Sequence, residues 1–143
     1  MGARNILLDG NDNAKIADFG LGKYVDGNYY VGSSKQMFPL RWLAPEIIKF
    51  QKFSTASDVW AFGCTLYEIS MNGTLPFAAL SNEGVRQMLL GTGICPLEKP
   101  SNANDKIFEI MVECLQFSIS LRPTFNSISK MLENEFKEQD ETK

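Results

Sequence analysis

Two short apolar runs, separated by a polar turn, open the chain. The runs cover residues 5–9 and 14–18, and the four residues between them are Gly, Asn and Asp, which tolerate tight-turn dihedrals. This arrangement predicts a β-hairpin. Residues 20–39 follow with scattered Gly, Ser and Tyr and no sustained period, and a stretch of that length predicts a functional or mobile loop.

A long apolar stretch lies in the middle of the chain, over residues 59–69. It predicts a helix from about residue 58 to residue 71, and residues 53–57 supply candidate N-caps just ahead of it. A helix that is apolar nearly all round belongs inside a core with neighbours on every side. Further helices are predicted after Pro45 and over three later stretches: 83–90, 105–116 and 124–136.

These elements predict a domain that is mainly α with a small β-hairpin attached. The domain covers residues 1–134, and residues 135–143 form a charged, solvated tail. A length of 143 residues with 44% hydrophobic and 22% charged side chains suits one globular core, and no internal repeat or low-complexity linker divides it.

Charge and cysteine content argue against several classes of function. A net charge of -3 without a Lys/Arg cluster argues against nucleic-acid binding. The three cysteines are far apart and the chain has no histidine, so neither a disulfide framework nor a Cys/His zinc site is indicated, and a reducing compartment is expected. No apolar stretch reaches the roughly 20 residues that span a bilayer. We therefore expect a soluble, intracellular chain.

The residues that indicate chemistry form an ordered series of motifs. Asp-Phe-Gly at residues 18–20 would by itself indicate only a turn after a strand. Here it follows Asn5 and precedes three further motifs: Ala-Pro-Glu at 44–46, Ser-Asp-Val-Trp-Ala-Phe-Gly at 57–63 and Leu-Arg-Pro-Thr-Phe at 121–125. This series resembles the carboxyl-terminal lobe of protein kinases, and the resemblance extends over nearly the whole chain.

The resemblance implies a metal site at Asn5 and Asp18. In protein kinases the catalytic-loop Asn and the Asp of Asp-Phe-Gly hold magnesium against the ATP phosphates. Magnesium prefers hard oxygen ligands, which an amide and a carboxylate supply. We expect the two hairpin strands to bring Asn5 and Asp18 side by side.

Two segments resemble tyrosine kinases in particular. Phe-Pro-Leu-Arg-Trp at residues 38–42 is similar to their substrate loop, which implies a platform for a phenol side chain at Pro39, Arg41 and Trp42. Residues 3–5 are similar to the end of the tyrosine-kinase catalytic loop, which makes Arg4 a candidate on the substrate side of the site.

The same resemblance implies a phosphorylation site in the loop. Tyrosine kinases are autophosphorylated about a dozen residues after Asp-Phe-Gly, where Tyr29 and Tyr30 lie, and Tyr30 is the better match. A phosphate there would pair with a nearby Arg and order the loop. The alternative is that both tyrosines simply occupy an exposed loop.

Three further residues match structural positions of the family. Glu46 and Arg122 are implied to form a buried ion pair that ties the end of the loop to the lower helices. Asp58 resembles the helix residue that accepts hydrogen bonds from the catalytic-loop backbone. As an alternative, Asp58 is a carboxylate favoured at a helix start by the helix dipole.

The chain also departs from the family pattern. The catalytic Asp of His-Arg-Asp would precede Met1, and no Gly-rich loop occurs in these residues. We therefore expect the parent activity to be transfer of the ATP γ-phosphoryl to protein tyrosine, with ATP and Mg²⁺ bound by the complete parent, and residues 1–143 to be inactive alone.

Two kinds of partner remain open at this stage: protein tyrosine substrates, or a protein bound by a non-catalytic, pseudokinase-like module through its exposed helical face. The resemblance implies such a face, because in the family another helix covers one side of the central helix, and residues 1–143 do not include it. The cytoplasm, or the intracellular part of a receptor, is the expected location.

Overall fold

The computed structural model describes residues 1–20, 22, 30–31, 38–91, 93 and 95–141, and the side chains among them as far as residue 137. The helices are α1 (Pro45–Phe50), α2 (Thr55–Ser70), α3 (Asn82–Leu90), α4 (Asp105–Cys114) and α5 (Phe125–Glu141). The strands are β1 (Ile6–Leu8), β2 (Ala14–Ile16), β3 (Tyr30–Val31) and β4 (Lys52–Phe53). Three short 3₁₀ turns cover Ala3–Asn5, Leu40–Trp42 and Ile119–Leu121. The described chain is mostly helical, as predicted.

The predicted hairpin is present, with shorter strands than expected. Strands β1 and β2 pair antiparallel, with Ile6 opposite Ile16. The turn is organised by the Asp9 carboxylate, which accepts the backbone N–H groups of Asn11 at 2.9 Å and Asn13 at 3.0 Å. The Asp9 N–H still donates to the Asn13 carbonyl at 3.0 Å, so the side-chain bond replaces only the return bond of this pair, and regular pairing ends there.

A second two-stranded sheet was not predicted. Strand β3 lies within the segment that was predicted as a loop, and it pairs antiparallel with β4 through Tyr30 opposite Phe53. Strands of two residues are too short to produce an alternating pattern, so the sequence carries no signal for them. The other residues of that loop, apart from 20, 22, 38 and 39, lie outside the described chain.

Helix α2 begins at Thr55, earlier than the predicted start at residue 58. Its N-cap is Ser54, whose hydroxyl accepts the Ser57 N–H at 3.3 Å, while the Ser57 hydroxyl accepts the Ser54 N–H at 2.7 Å. This reciprocal capping box satisfies two backbone donors that a helix start leaves unpaired. The candidate caps among residues 53–57 are therefore confirmed.

The core lies on two sides of α2. Trp60 and Cys64 pack into one apolar cluster with Leu89 of α3, and Val59 packs into a second with Ile110 of α4. This placement agrees with the prediction of a central buried helix. The burial is incomplete at the carboxyl end of the helix, since Ile69 is 53% exposed.

The later helices differ from the predicted bounds at their carboxyl ends. Helix α4 ends at Cys114, before the predicted residue 116, and α5 runs to Glu141, through most of the segment predicted as a charged tail. A charged stretch that continues a packed helix can remain helical without an apolar face along its whole length. Within the described residues no helix has the length and apolar character needed to span a membrane.

Helices α2 and α4 approach closely at Gly63. A Cβ atom added to Gly63 would lie 2.8 Å from Cys114 Cβ and 3.0 Å from Leu115 Cγ. Both distances are shorter than ordinary van der Waals contact, so the helix contact requires glycine here.

We expect Gly63→Ala to lower the free energy of unfolding by about 1–3 kcal/mol, because overpacking outweighs the better helix propensity of Ala. The matched control is Gly84→Ala in α3, where the added Cβ would lie 3.4 Å from its nearest neighbours. That variant should be neutral or up to about 1 kcal/mol more stable. Urea unfolding followed by circular dichroism measures both, and equal effects of the two substitutions would contradict the close-contact argument.

Candidate functional site

Asn5 and Asp18 lie at the same end of the hairpin. Asn5 is the last residue of the turn that leads into β1, and Asp18 follows β2 by two residues. The Ala17 N–H donates to the Asn5 carbonyl at 2.8 Å, so the ladder continues one pair beyond Ile6 and Ile16. Ala17 therefore lies opposite Asn5, and Asp18 is the residue that follows Ala17.

Asp18 has an unusual backbone conformation. Its φ of +61° lies in the left-handed region, which Asp tolerates better than most residues. Its Oδ1 atom accepts the Gly20 N–H at 3.3 Å, and the residue is exposed. Non-glycine residues in the left-handed region are strained and persist only where the surrounding structure holds them in place. Such residues often cluster at functional sites.

The donor set at this end of the hairpin is one carboxylate and one amide. In the described residues no group of three or more His, Cys, Asp or Glu side chains could hold a metal ion. Magnesium is commonly bound by one or two protein oxygen ligands together with phosphate oxygens and water, rather than by an all-protein cage. The residues present therefore fit a magnesium ion shared with a phosphate ligand.

The turn that carries Asn5 is docked on α2. The Ala3 N–H donates to Glu68 Oε2 at 2.8 Å, and the Thr65 hydroxyl donates to the Met1 carbonyl at 3.1 Å. Arg4, the candidate on the substrate side, has its guanidinium carbon 5.1 Å from the centre of the Trp42 ring. Glu68 was not singled out from the sequence, although it is the one acidic residue in the apolar stretch 59–69, which was an available signal.

Two of the three predicted platform residues point into the protein. The Arg41 guanidinium donates to the backbone carbonyls of Pro76 at 3.0 Å, Phe77 at 2.7 Å and Leu80 at 2.8 Å. Trp42 is 6% exposed. These two side chains fix the segment from inside, and Trp42 presents almost no surface for a substrate phenol. Pro39 is half-buried at the start of the same turn.

Tyr30 is half-buried in strand β3. Its ring centre lies 6.2 Å from that of Phe53, which also contacts Phe38 at 4.9 Å between ring centres. Tyr29 lies outside the described residues. Phosphorylation of either tyrosine stays a prediction.

Glu46 and Arg122 form a buried, two-pronged ion pair. Each nitrogen at the end of the Arg122 guanidinium donates to one oxygen of Glu46, both at 2.7 Å. Arg122 also donates to the carbonyls of Gln116 at 2.7 Å and Ala56 at 2.8 Å. The pair therefore joins α1 to α2 and to the segment between α4 and α5.

The Asp58 carboxylate accepts no hydrogen bond from the described residues, whose amino-terminal turn is bound by Thr65 and Glu68. The hydrogen-bonding role that the resemblance implied for Asp58 stays a prediction. Although the residue as a whole is exposed, desolvation by its neighbours raises the pKa of the Asp58 carboxyl above its usual value. Its position in the first turn of α2 agrees with the alternative, a helix-start carboxylate.

The cysteine thiols are held in their protonated form. Burial raises the pKa of Cys95 and of Cys114 to about 12, and raises that of Cys64 well above its usual value. All three are free of disulfides. Since the thiolate is the reactive form, none of them is suited to act as a nucleophile at neutral pH.

The sequence of residues 1–132 matches the family described as protein tyrosine and serine/threonine kinase. Among curated proteins, the chain is 38% identical to the insulin-like growth factor 1 receptor of Xenopus laevis over 136 residues, which cover 94% of this chain and 10% of the receptor. It is 38% identical to the tyrosine-protein kinase Abl of Drosophila melanogaster over 138 residues, 96% of this chain and 8% of that kinase. The transforming protein Abl of Abelson murine leukemia virus is 37% identical over 138 residues, 96% of this chain and 18% of that protein. The chain thus spans a fifth or less of the length of these relatives.

We expect Arg122→Met to lower the free energy of unfolding by about 3–5 kcal/mol, because it leaves the Glu46 carboxylate buried and unpaired. The control is Lys106→Met, which removes one partner of the exposed Lys106–Glu109 pair. Exposed pairs contribute little, so the control should keep the melting temperature of the parent chain. Thermal and urea unfolding measure both variants. If Lys106→Met destabilised the chain as much as Arg122→Met, that result would contradict the conclusion that the Glu46–Arg122 pair is buried.

Proposed function

We propose that this chain, which belongs to the protein tyrosine and serine/threonine kinase family, forms the carboxyl-terminal lobe of a protein tyrosine kinase. The reaction would be transfer of the ATP γ-phosphoryl group to a tyrosine of a protein substrate. The observation that supports it most is the hairpin register, which puts Asn5 and Asp18 at one end of the two strands. Tyrosine as the acceptor is supported by the relatives, since two of those named above are tyrosine-protein kinases.

Each residue of the hairpin end has a defined part in this proposal. Asn5 would contribute its amide oxygen and Asp18 its carboxylate to a magnesium ion, which when bound neutralises charge on the phosphoryl group. The Gly20 N–H, which donates to Asp18 Oδ1, would fix the carboxylate in one orientation. Positioning of this kind supplies most of the catalysis in phosphoryl transfer.

The other proposed roles lie outside the metal site. Arg4 and Pro39 would lie beside the bound substrate, while Arg41 and Trp42 hold the substrate-side segment in place from within. Tyr30 or Tyr29 would be the site of autophosphorylation. As a kinase of this type, the parent would act in the cytoplasm, either as a separate enzyme or as the intracellular part of a receptor.

We expect residues 1–143 alone to form no phosphotyrosine and to show no ATP-dependent thermal stabilisation. The physical reason is that this part of the sequence has no His-Arg-Asp segment and no Gly-rich loop, so it cannot place a general base or cover a nucleotide. The assay is phosphorylation of a tyrosine peptide, with a thermal-shift measurement with and without MgATP. Robust activity of the purified residues would contradict this expectation.

A chimeric kinase tests the proposed function directly. The 138 matched residues of the Drosophila melanogaster Abl kinase would be replaced by those of this chain. We expect the chimera to phosphorylate a tyrosine peptide, and Asp18→Asn to reduce kcat by about a hundredfold or more, since a charged ligand for the phosphoryl-bound metal is lost.

The matched control in the chimera is Asp12→Asn. Asp12 lies on the same hairpin with φ +62°, nearly the same backbone conformation as Asp18, and Asn is tolerated there. It should leave kcat unchanged. A folded chimera without activity, or equal losses from the two substitutions, would overturn the proposal.

A further inference from the structure

A groove lies between α1 and the segment that follows α4. Its volume is about 790 Å³, which lies within the range of roughly 300–1,000 Å³ that is typical of ligand sites. The described residues that line it belong to α1, to the segment 117–120, and to Gly91 and Gly93 after α3. None of the residues proposed to bind metal or substrate lines this groove. A function for it is therefore separate from the proposed kinase reaction.

Two large apolar side chains of the groove are open to solvent. Phe50, the last residue of α1, is 62% exposed, and Ile119 is 47% exposed. The half-buried Phe117 lines the same groove and is held by an edge-on contact with Trp60, at 5.4 Å between ring centres. Exposed apolar side chains around a recess are typical of surfaces that bind an apolar side chain of a partner.

The groove also carries a positive charge that no acidic residue neutralises. The charged side chains that line it within the described residues are Glu46 and Lys49. Glu46 is buried and paired with Arg122 through both of its oxygens, so its charge is compensated. Lys49 is exposed and has no acidic partner within 4.0 Å among the described residues. The groove is therefore complementary to an acidic group.

Several hydrogen-bond donors surround the apolar recess. The Lys49 ammonium donates to the Gly91 carbonyl at 3.1 Å, which leaves two of its three donors available. The Ser118 and Ser120 hydroxyls also line the groove and lie 3.0 Å apart, so one donates to the other and the pair keeps one proton for a further acceptor. This set of donors fits the two oxygens of a carboxylate.

We propose that the groove binds a short segment of a partner protein in which a carboxylate side chain stands next to a large aromatic one. The carboxylate accepts from Lys49 and from the pair of Ser118 and Ser120, and the aromatic ring packs against Phe50 and Ile119. The charge-assisted bonds set the orientation, while the buried ring supplies most of the affinity. A basic segment is disfavoured, because it would face the uncompensated Lys49.

A membrane surface fits the groove less well than a protein segment does. Anionic lipid surfaces are bound by clusters of several Lys and Arg side chains, whereas Lys49 is the one basic residue among those described that line this groove. A recess with a single ammonium beside it is instead suited to one acidic side chain and its apolar neighbour.

The experiment is an NMR titration of ¹⁵N-labelled residues 1–143 with the capped peptide Gly-Asp-Phe-Asp-Gly. We expect saturable shifts of the amide resonances of Lys49, Phe50, Ile119 and Ser120. Two matched peptides separate the contributions: Gly-Asn-Phe-Asn-Gly removes the charges, and Gly-Asp-Ala-Asp-Gly removes the ring. Each should bind about tenfold more weakly or worse, because it lacks either the charge-assisted bonds or the apolar anchor.

Substitutions in the chain test the same contacts from the other side. Lys49→Met keeps an unbranched side chain without its charge, so it should weaken binding of the acidic peptide about tenfold and leave that of the Asn peptide unchanged. The matched control is Lys106→Met, which removes a lysine that does not line the groove and should leave the binding of both peptides unchanged. Phe50→Ala should weaken binding of both peptides, and since Phe50 is mostly exposed, the variant should keep the fold.

Four results would each overturn the proposal. They are the absence of saturable shifts at the groove, equal binding of the acidic and the Asn peptide, equal effects of Lys49→Met and Lys106→Met, and shifts at the groove that phenylacetate produces at the same concentration as the acidic peptide. The last result would assign the groove to a small aromatic acid. Groove shifts that grow with the concentration of the chain alone would assign it to a second copy, and would equally overturn the proposal.

Discussion

The burial of α2 between two apolar clusters is the constraint on which the rest of the structure depends. Because both sides of the helix are withdrawn from water, the polar side chains along it depend on hydrogen-bond partners within the protein. Among the buried side-chain groups of the described residues, the indole N–H of Trp60 is the exception that has no partner. Ser54 and Ser57 cap the start of the helix by hydrogen-bonding each other's backbone N–H groups. Gly63 has no side chain, which allows α4 to pack closely against α2. Thr65 and Glu68 are matched by the amino-terminal turn. Two exceptions to the apolar pattern of α2, Thr65 and Glu68, are therefore the points at which the amino-terminal turn attaches.

A second constraint is the charge buried beside α2. Arg122 contacts Glu46 and two backbone carbonyls, and its guanidinium carbon lies 5.2 Å from the centre of the Trp60 ring. Apolar side chains of the same volume would often give more stability than such a buried ion pair. The hydrogen bonds of the pair, however, form only in one arrangement of α1 relative to α2. We infer that it fixes the start of α1, and with it the end of the segment that contains Trp42.

The sequence was sufficient for elements whose signal is local and repeated. The apolar run of α2, the caps before it and the Gly/Asn/Asp turn of the hairpin each specify their structure within a few residues, and all are present. The two-residue strands β3 and β4 carry no period, and the partners of Glu68 depend on contacts across the fold. The inward direction of Trp42 was missed for the same reason, since an aromatic residue in a loop pattern does not indicate whether its ring is buried.

The hairpin itself contributes little to the stability of the candidate site that it carries. Leu7, Leu8 and Ile16 are each more than half exposed, so the strands bury too little apolar surface to be stable as an isolated pair. The order at Asn5 must therefore come from its anchored end, where Ala3 binds Glu68 and Ala17 binds Asn5. Asp18 directly follows Ala17 in the chain, so this anchored end also supports the backbone on which Asp18 keeps its left-handed φ of +61°.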